Sequence, residues 1–95
     1  MKNSSPYIKT HRISFKDFGS CDVYYMKPGG VEKNHFHDGI EIAHAIKGNC
    51  KTHREGKVYV YQKGQVHEVV NDSKDELVFV CLTIPPESKK NTHYV

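Results

Sequence analysis

Short strand-forming runs, separated at regular intervals by turn residues, constrain the fold of this chain more than any other feature of its sequence. The runs are rich in Val, Ile, Tyr and Phe, and none shows the periodicity of an amphipathic helix. Strands that recur with turn signals about every 8–12 residues are typical of an all-β sandwich or barrel. We expect strands at residues 7–10, 22–27, 35–37, 40–46, 50–54, 57–62, 66–71 and 76–84.

The length and hydropathy of the chain favour one small domain. A chain of 95 residues has room for a single domain. We expect this domain to span residues 1–95, with a core at about 7–86 and a polar tail at 87–95 that is mobile or lies on a neighbouring chain. The longest apolar run, residues 77–84, is long enough for a strand and too short for a transmembrane helix.

Charge and cysteine content narrow the partners and the compartment. The net charge is +3 and the lysines are scattered, so the sequence predicts neither a nucleic-acid partner nor a membrane partner. Cys21, Cys50 and Cys81 are odd in number and widely spaced, which argues against a disulfide framework. The N-terminus lacks the apolar segment of a signal peptide. Together these features indicate a cytoplasmic protein.

The seven histidines are the unusual part of the composition. His35 and His37 are two residues apart, so on a strand both imidazoles point to the same face. Glu41 has the same parity beyond a predicted turn, and His67 on a later strand is a fourth candidate. Nitrogen and oxygen donors without a thiolate favour a divalent Fe, Mn, Ni, Cu or Zn ion over a closed structural zinc site. We interpret the remaining histidines as surface or hydrogen-bonded residues: His11, His44, His53 and His93.

Two stretches of the chain resemble the two conserved motifs of the cupin superfamily. In the first motif a glycine, a His-x-His pair, a glutamate and a second glycine recur at fixed spacing. Here those places are filled by Gly29, His35, His37, Glu41 and Gly48. In the second motif the matching residues are Gly56, Gly64, His67 and Asn71. The sequence departs from the pattern at Gln62, where the family usually has proline, and in the short link of seven residues between the two motifs.

The resemblance implies a small jelly-roll (cupin) β-barrel of six to eight antiparallel strands. It also implies one metal ion held by His35, His37, Glu41 and His67, and a homodimer. We expect the dimer to use residues 7–13 together with three apolar side chains that face outward: Ile40, Ile42 and Ile46.

The fold is shared by many activities, so function must be argued from the site. Three histidines and one carboxylate leave open positions on an octahedral ion, as a metalloenzyme needs. We expect an enzyme that acts on a small polar substrate, such as a sugar or uronate, by isomerisation or ring opening. Small single-domain cupins that linearise unsaturated uronates have this size and ligand set. Tyr25 and Glu68 are candidate acid–base residues.

Two other functions stay open at this point. One is a metal-dependent dioxygenase, in which Cys81 and either Tyr59 or Tyr61 approach the interior. Cys81 is equally well explained as a small buried apolar residue. The other is a non-enzymatic module that binds a small ligand.

Overall fold

The computed structural model describes residues 6–95, which form eight strands and no helix. The strands are β1 (Ile8–Ser14), β2 (Ser20–Met26), β3 (Val31–His37), β4 (Ile40–Lys47), β5 (Val58–Tyr61), β6 (His67–Val70), β7 (Leu77–Ile84) and β8 (Thr92–Tyr94). The larger sheet has the order β1-β2-β7-β4-β5 and the smaller has the order β6-β3-β8. Every paired register is antiparallel. The predicted all-β architecture is confirmed, with two facing sheets in place of one closed sheet. Within the described range there is no helix long and apolar enough to cross a membrane.

Strict alternation along the central strands places the core between the two sheets. Every second residue of β2 and of β7 is buried. Met26 and Leu77 are almost fully enclosed, and burial of each such side chain stabilises the fold by about 1.5–3 kcal/mol. The ring of Tyr24 stacks on that of Phe79, with 4.9 Å between centroids. Val69 of the smaller sheet belongs to the same cluster, so the core joins both layers.

Residues 50–54, predicted as a strand, form a loop. The backbone N–H of Cys50 donates to the carbonyl of His53 at 2.8 Å, which closes the segment on itself. The Thr52 hydroxyl accepts from the backbone N–H of Val70 at 3.0 Å. The short link between the two motifs therefore satisfies its polar groups locally and against β6. It adds no strand to either sheet.

The C-terminal residues 87–95, predicted as a mobile tail, are part of the fold. Strand β8 pairs with β3, so that Thr92 lies opposite His37 and Tyr94 lies opposite His35. Glu87 is buried, with 7% of its surface exposed. The Thr92 hydroxyl donates to Glu87 at 3.1 Å, whereas Ser88, Lys89 and Lys90 are exposed.

The glycines of the two motifs occur at turns and have positive φ angles. Their φ angles are 89° at Gly29, 99° at Gly48, 83° at Gly56 and 79° at Gly64. At Gly48 an added Cβ would lie 2.7 Å from the carbonyl oxygen of Glu76. This position therefore needs glycine both for its backbone conformation and for the close approach of β7.

The outer face of the larger sheet is unusually apolar. Its strand pairing aligns outward side chains in rows that cross all five strands. One row is Ile13, Cys21, Leu82, Ile42 and Val60. The next is His11, Val23, Val80, His44 and Val58. Val58, Val60 and Ile13 are each about half exposed or more. This surface is called the outer sheet face below.

Candidate metal centre

Three histidines and one glutamate from three different strands meet in the space between the sheets. His35 and His37 lie on β3, Glu41 lies on β4, and His67 lies on β6 directly opposite His35. All four residues are buried, and one nitrogen or oxygen of each lies within 4.8 Å of the others. The structure therefore brings together the four residues that the sequence pattern nominated as ligands.

Hydrogen bonds at Nδ1 orient the three imidazoles with Nε2 toward one another. His35 Nδ1 lies 2.6 Å from the carbonyl oxygen of Lys33, and His67 Nδ1 lies 3.1 Å from that of Gln65. A carbonyl oxygen can only accept, so both Nδ1 atoms carry the proton and both neutral Nε2 atoms carry a lone pair. His37 Nδ1 lies 3.0 Å from the Thr92 hydroxyl oxygen. This arrangement, with Nδ1 held and Nε2 free, is the usual state of a metal-binding histidine.

Glu41 supplies the negative charge of the cluster. Its Oε1 lies 2.8 Å from His37 Nε2 and 3.4 Å from His67 Nε2. Burial by itself raises the pKa of Glu41, but the adjacent imidazoles of His37 and His67 outweigh it and hold the pKa well below its usual value. The carboxylate is therefore ionised at neutral pH, as a ligand must be.

The cluster is chemically incomplete without a cation. Among residues 6–95, the buried His67 Nε2 has no hydrogen-bond partner, because its contact with Glu41 is too poor in geometry to count. A neutral imidazole lone pair that faces a carboxylate is unfavourable unless a proton or a metal ion lies between them. Three nitrogen donors and one carboxylate can hold a divalent first-row ion and leave coordination positions open. The donor set therefore fits such an ion.

A second group of side chains packs behind His67. The ring of Tyr61 stacks on it almost in parallel, with 3.9 Å between centroids and 6° between planes. The Tyr61 hydroxyl lies 3.4 Å from His53 Nε2, and His53 Nδ1 lies 2.9 Å from the Thr52 hydroxyl. Burial lowers the pKa of His53, so this imidazole is neutral at neutral pH. Together, Tyr61 and His53 fix the plane of the His67 ring.

His53 was interpreted from sequence as a surface or hydrogen-bonded residue, and only the second half of that interpretation holds. It is 1% exposed and contacts both Tyr59 and Phe79 through its ring. No spacing rule places it there, because it comes from the loop that was predicted as a strand. His44 and His11 are exposed, as expected.

A small pocket opens over the four residues, with a volume of about 30 Å³. That is room for an ion and one or two waters. A bulge between Glu32 and His35 brings both onto the inner side of β3, where strict alternation would separate them. The Tyr94 hydroxyl donates to Glu32 Oε2 at 2.6 Å. The pocket is lined by Ile8, Tyr24, Met26, Glu32, His35, His37, Glu41, His67, Val69, Phe79, Cys81, Glu87, Thr92 and Tyr94.

Comparison with known proteins identifies the fold. No protein-family model matches the chain, and no curated protein matches it. A protein from Klebsiella pneumoniae with a double-stranded β-helix domain is 19% identical, and the match covers 97% of this chain and 87% of that one at a TM-score of 0.79. A cupin domain from Bordetella pertussis is 21% identical over 88% of this chain and 97% of its own, at a TM-score of 0.69. The chain has the cupin fold.

Structures with this cupin fold include enzymes. The polyketide cyclase RemF from Streptomyces resistomycificus is 12% identical, and the match covers 95% of this chain and 72% of that one at a TM-score of 0.80. At this level of identity the likeness concerns the fold alone. The function of this protein therefore has to be argued from its own pocket.

The two acid–base candidates nominated from sequence do not line the pocket. Tyr25 lies on the outer face of β2, with its ring 5.7 Å from that of His11. Glu68 has the opposite parity to His67 and faces away from the pocket. The phenols that line the pocket are Tyr24 and Tyr94. Alternation along β2 puts Tyr24 on the pocket side and Tyr25 on the opposite side.

Acid should release a metal ion held by the four residues. The ligand imidazoles bind an ion only when neutral, and burial lowers the pKa of His35, which favours the neutral form at neutral pH. As the pH falls through the range in which histidine takes up a proton, protons displace the metal. We expect near-full occupancy at pH 7–8 and a marked loss below about pH 6. Elemental analysis after desalting at each pH measures this. Constant metal content from pH 8 to 5 would contradict ligation by histidine.

Proposed function

We propose that this protein is a metal-dependent enzyme that acts on a small polar substrate, such as a sugar, by isomerisation or ring opening. Because the pocket has a volume of about 30 Å³, only the reacting end of the substrate would enter it. The observation that supports this most is the combination of an open four-donor site with a phenol–carboxylate pair in the same pocket. The four ligands are His35, His37, Glu41 and His67. When bound, a divalent ion would supply Lewis-acid polarisation of a substrate oxygen.

The remaining chemistry is assigned to Tyr94 and Glu32. The Tyr94 hydroxyl donates to the Glu32 carboxylate, and burial together with this hydrogen bond raises the pKa of Tyr94. The phenol therefore stays protonated at neutral pH and is an acid, while the carboxylate is a base. Such a pair can accept a proton from one substrate atom and return it to another, as isomerisation and ring opening both require. Tyr94 is half exposed, so substrate can reach it.

The charge of the pocket favours a neutral sugar over a uronate. Glu32, Glu41 and Glu87 line it, and within residues 6–95 neither lysine nor arginine does. The nearest guanidinium, that of Arg12, is bound to Asp22 and Glu87. A substrate carboxylate would find only the metal as a counter-charge and would be repelled by Glu32 and Glu87. We therefore place hydroxyl- and carbonyl-bearing neutral substrates ahead of acidic ones.

The two alternatives have less support. A dioxygenase that uses Cys81 needs a reactive thiol, but burial and the nearby Glu41 carboxylate raise the pKa of Cys81, so it is a protonated donor. Tyr61 packs its face against His67 and is not among the residues that line the pocket. A pure binding module would need neither the phenol nor the carboxylate at the mouth.

A turnover assay with matched variants tests the proposed function. Metal-loaded protein is incubated with neutral aldoses and ketoses, and with uronates, and interconversion is followed by NMR. We expect turnover of a neutral sugar that falls by about 10²–10⁴-fold in Glu32→Gln and Tyr94→Phe, with metal content unchanged. Glu68→Gln and Tyr25→Phe are the controls, because both residues face away from the pocket, and both should retain activity.

Equal activity in Glu32→Gln and Glu68→Gln would show that the carboxylate at the mouth is not the base. Binding of sugar with no conversion in any metal-loaded preparation would favour the binding module. Oxygen uptake with substrate would favour the dioxygenase.

A further inference from the structure

The C-terminal segment contacts the metal centre from behind, through His37. Strand β8 places Thr92 directly opposite His37, and the Thr92 hydroxyl oxygen lies 3.0 Å from His37 Nδ1. The same hydroxyl lies 3.1 Å from Glu87 Oε2. His37, Thr92 and Glu87 thus form one hydrogen-bonded line, in which His37 is 50 or more residues away from the other two along the chain.

The direction of each hydrogen bond in this line is fixed by chemistry. The ionised Glu87 carboxylate can only accept, so the single Thr92 proton goes to Glu87. The Thr92 oxygen must then accept from His37, and Nδ1 must carry the imidazole proton. In the neutral ring this leaves the lone pair on Nε2, the atom 2.8 Å from Glu41.

Glu87 is itself held in place from two sides. The guanidinium of Arg12 donates to Glu87 Oε1 at 2.5 Å, and the backbone N–H of Glu87 donates to the Ser20 hydroxyl at 3.0 Å. Arg12 also binds both oxygens of the fully buried Asp22, at 2.7 and 3.0 Å. These hydrogen bonds and charges raise the pKa of Arg12, although its partial burial opposes them, so it remains cationic. The line therefore ends at Glu87, which is held by Arg12 of β1 and Ser20 of β2.

The hydrogen-bond partner of Nδ1 distinguishes His37 from His35 and His67. The Nδ1 atoms of His35 and His67 are held by the carbonyls of Lys33 and Gln65, each two residues earlier on the same stretch of chain. Those contacts form wherever the strand forms. The His37 contact exists only when residues 87–92 are docked against β3 and β1.

We propose that Thr92, Glu87 and Arg12 are positioning residues for the metal ligand His37, and that docking of the C-terminal segment is what prepares this ligand. The hydrogen-bonded line through Thr92 and Glu87, called the relay below, keeps the proton of the His37 ring on Nδ1. It thereby orients Nε2 toward the ion. The inference rests on the four-donor centre of the proposed function and is independent of the reaction catalysed there. Outer partners of this kind typically contribute about 10–100-fold to metal affinity.

The first test compares Thr92→Val with Thr92→Ser. Valine keeps the shape of threonine and removes the hydroxyl, whereas serine keeps the hydroxyl. We expect the Kd for Ni(II) or Co(II), measured by calorimetry, to rise about 10–100-fold in Thr92→Val and to stay near wild type in Thr92→Ser. The visible spectrum of the Co(II) form should change in the valine variant alone. Unchanged Kd and spectrum in Thr92→Val would overturn the proposal, and so would an equal loss in both variants.

The second test needs no metal and so separates this proposal from the proposed function. Long-range ¹H–¹⁵N NMR of metal-free protein at pH 8 reports which nitrogen of His37 carries the proton. We expect His37 Nδ1 to carry a proton in wild type and in Thr92→Ser, whether or not Nε2, which lies 2.8 Å from Glu41 Oε1, also carries one. In Thr92→Val and Glu87→Gln we expect a part of the population to have Nδ1 without its proton. His35 is the internal control and should keep its Nδ1–H form throughout. A His37 ring protonated at Nε2 alone in the wild-type protein would overturn the relay, whatever activity the protein has.

Discussion

His37→Ala is expected to abolish metal binding at ion concentrations that saturate the wild-type protein. We expect wild-type protein, purified without a histidine tag, to bind about one divalent ion per chain. The substitution removes one of four donors and leaves Glu41 without its 2.8 Å partner. The loss should exceed the 10–100-fold effect of an outer partner. Elemental analysis and calorimetric titration measure it.

The same substitution should remove the thermal stabilisation that metal gives. An ion at about 100 times its Kd stabilises the folded state by about 2.7 kcal/mol. For a domain of this size that corresponds to a rise in Tm of about 10–20 °C. His37→Ala should show no such rise. His35→Ala and His67→Ala should behave alike, since each removes one donor.

His44→Ala is the matched control. His44 lies on β4, three residues beyond Glu41, and is exposed on the opposite face. It should bind metal with wild-type stoichiometry and show the full rise in Tm. If His37→Ala and His44→Ala bound equal amounts of metal, the four-residue centre would be wrong.

The four-residue cluster could be predicted because His35 and His37 follow a short-range rule and the resemblance to the two motifs adds Glu41 and His67. His35 and His37 share a face through strand alternation, and the glycines beside the motifs occupy turns that require positive φ. Ala43 also faces inward with Glu41, as alternation predicts, but it packs in the core and does not line the pocket. Parity gives the face of a residue and not its depth along the strand.

The inner face of β2 could not be identified from the sequence, because the hydrophobic pattern of this strand points the wrong way. The outward residues of this strand are Cys21, Val23 and Tyr25, while its inward set includes Ser20 and the fully buried Asp22. A rule that places apolar residues inside therefore exchanges the two faces. Asp22 is buried because Arg12 pairs with it, and no local sequence pattern encodes a partner ten residues away.

The role of the C-terminal segment could not be read from composition either. A polar stretch at the end of a chain is typical of a mobile tail. Here Glu87 and Thr92 line the pocket because Arg12 and His37 pair with them across the fold. Those contacts join residues far apart in sequence. Only the three-dimensional arrangement reveals them.

The outer sheet face exposes apolar side chains that a single copy of the chain leaves uncovered. Five strands at about 4.8 Å and seven residues at about 3.3 Å give the whole face, with its polar members His11 and His44, an area on the order of 500 Å². A large apolar patch on the surface of a small monomer is typical of a binding surface. We propose that a second copy of this chain covers it, with the row through Leu82 and Ile42 at the centre. In a two-fold dimer the same face of both copies would form the interface.

Leu82→Lys is therefore expected to convert a dimer into a monomer. Wild-type protein at tens of micromolar should sediment at twice the 10.9 kDa mass of the chain. A lysine at the centre of β7 would place two like charges against each other in an apolar interface, at a cost of several kcal/mol. Such a cost exceeds the roughly 1.4 kcal/mol that changes an association constant tenfold. Analytical ultracentrifugation over a range of concentrations measures the shift.

Val66→Lys is the control for this substitution. Val66 is 49% exposed and lies just before β6 in the smaller sheet, away from the outer sheet face. It adds the same charge to the chain and should leave the dimer intact. Circular dichroism and metal content should match wild type in both variants, because neither residue contacts the pocket.

A wild-type monomer at these concentrations would show that the face binds something other than a second copy. A dimer that persists in Leu82→Lys would place the interface elsewhere, with the exposed side chains of β1 as the next surface to alter.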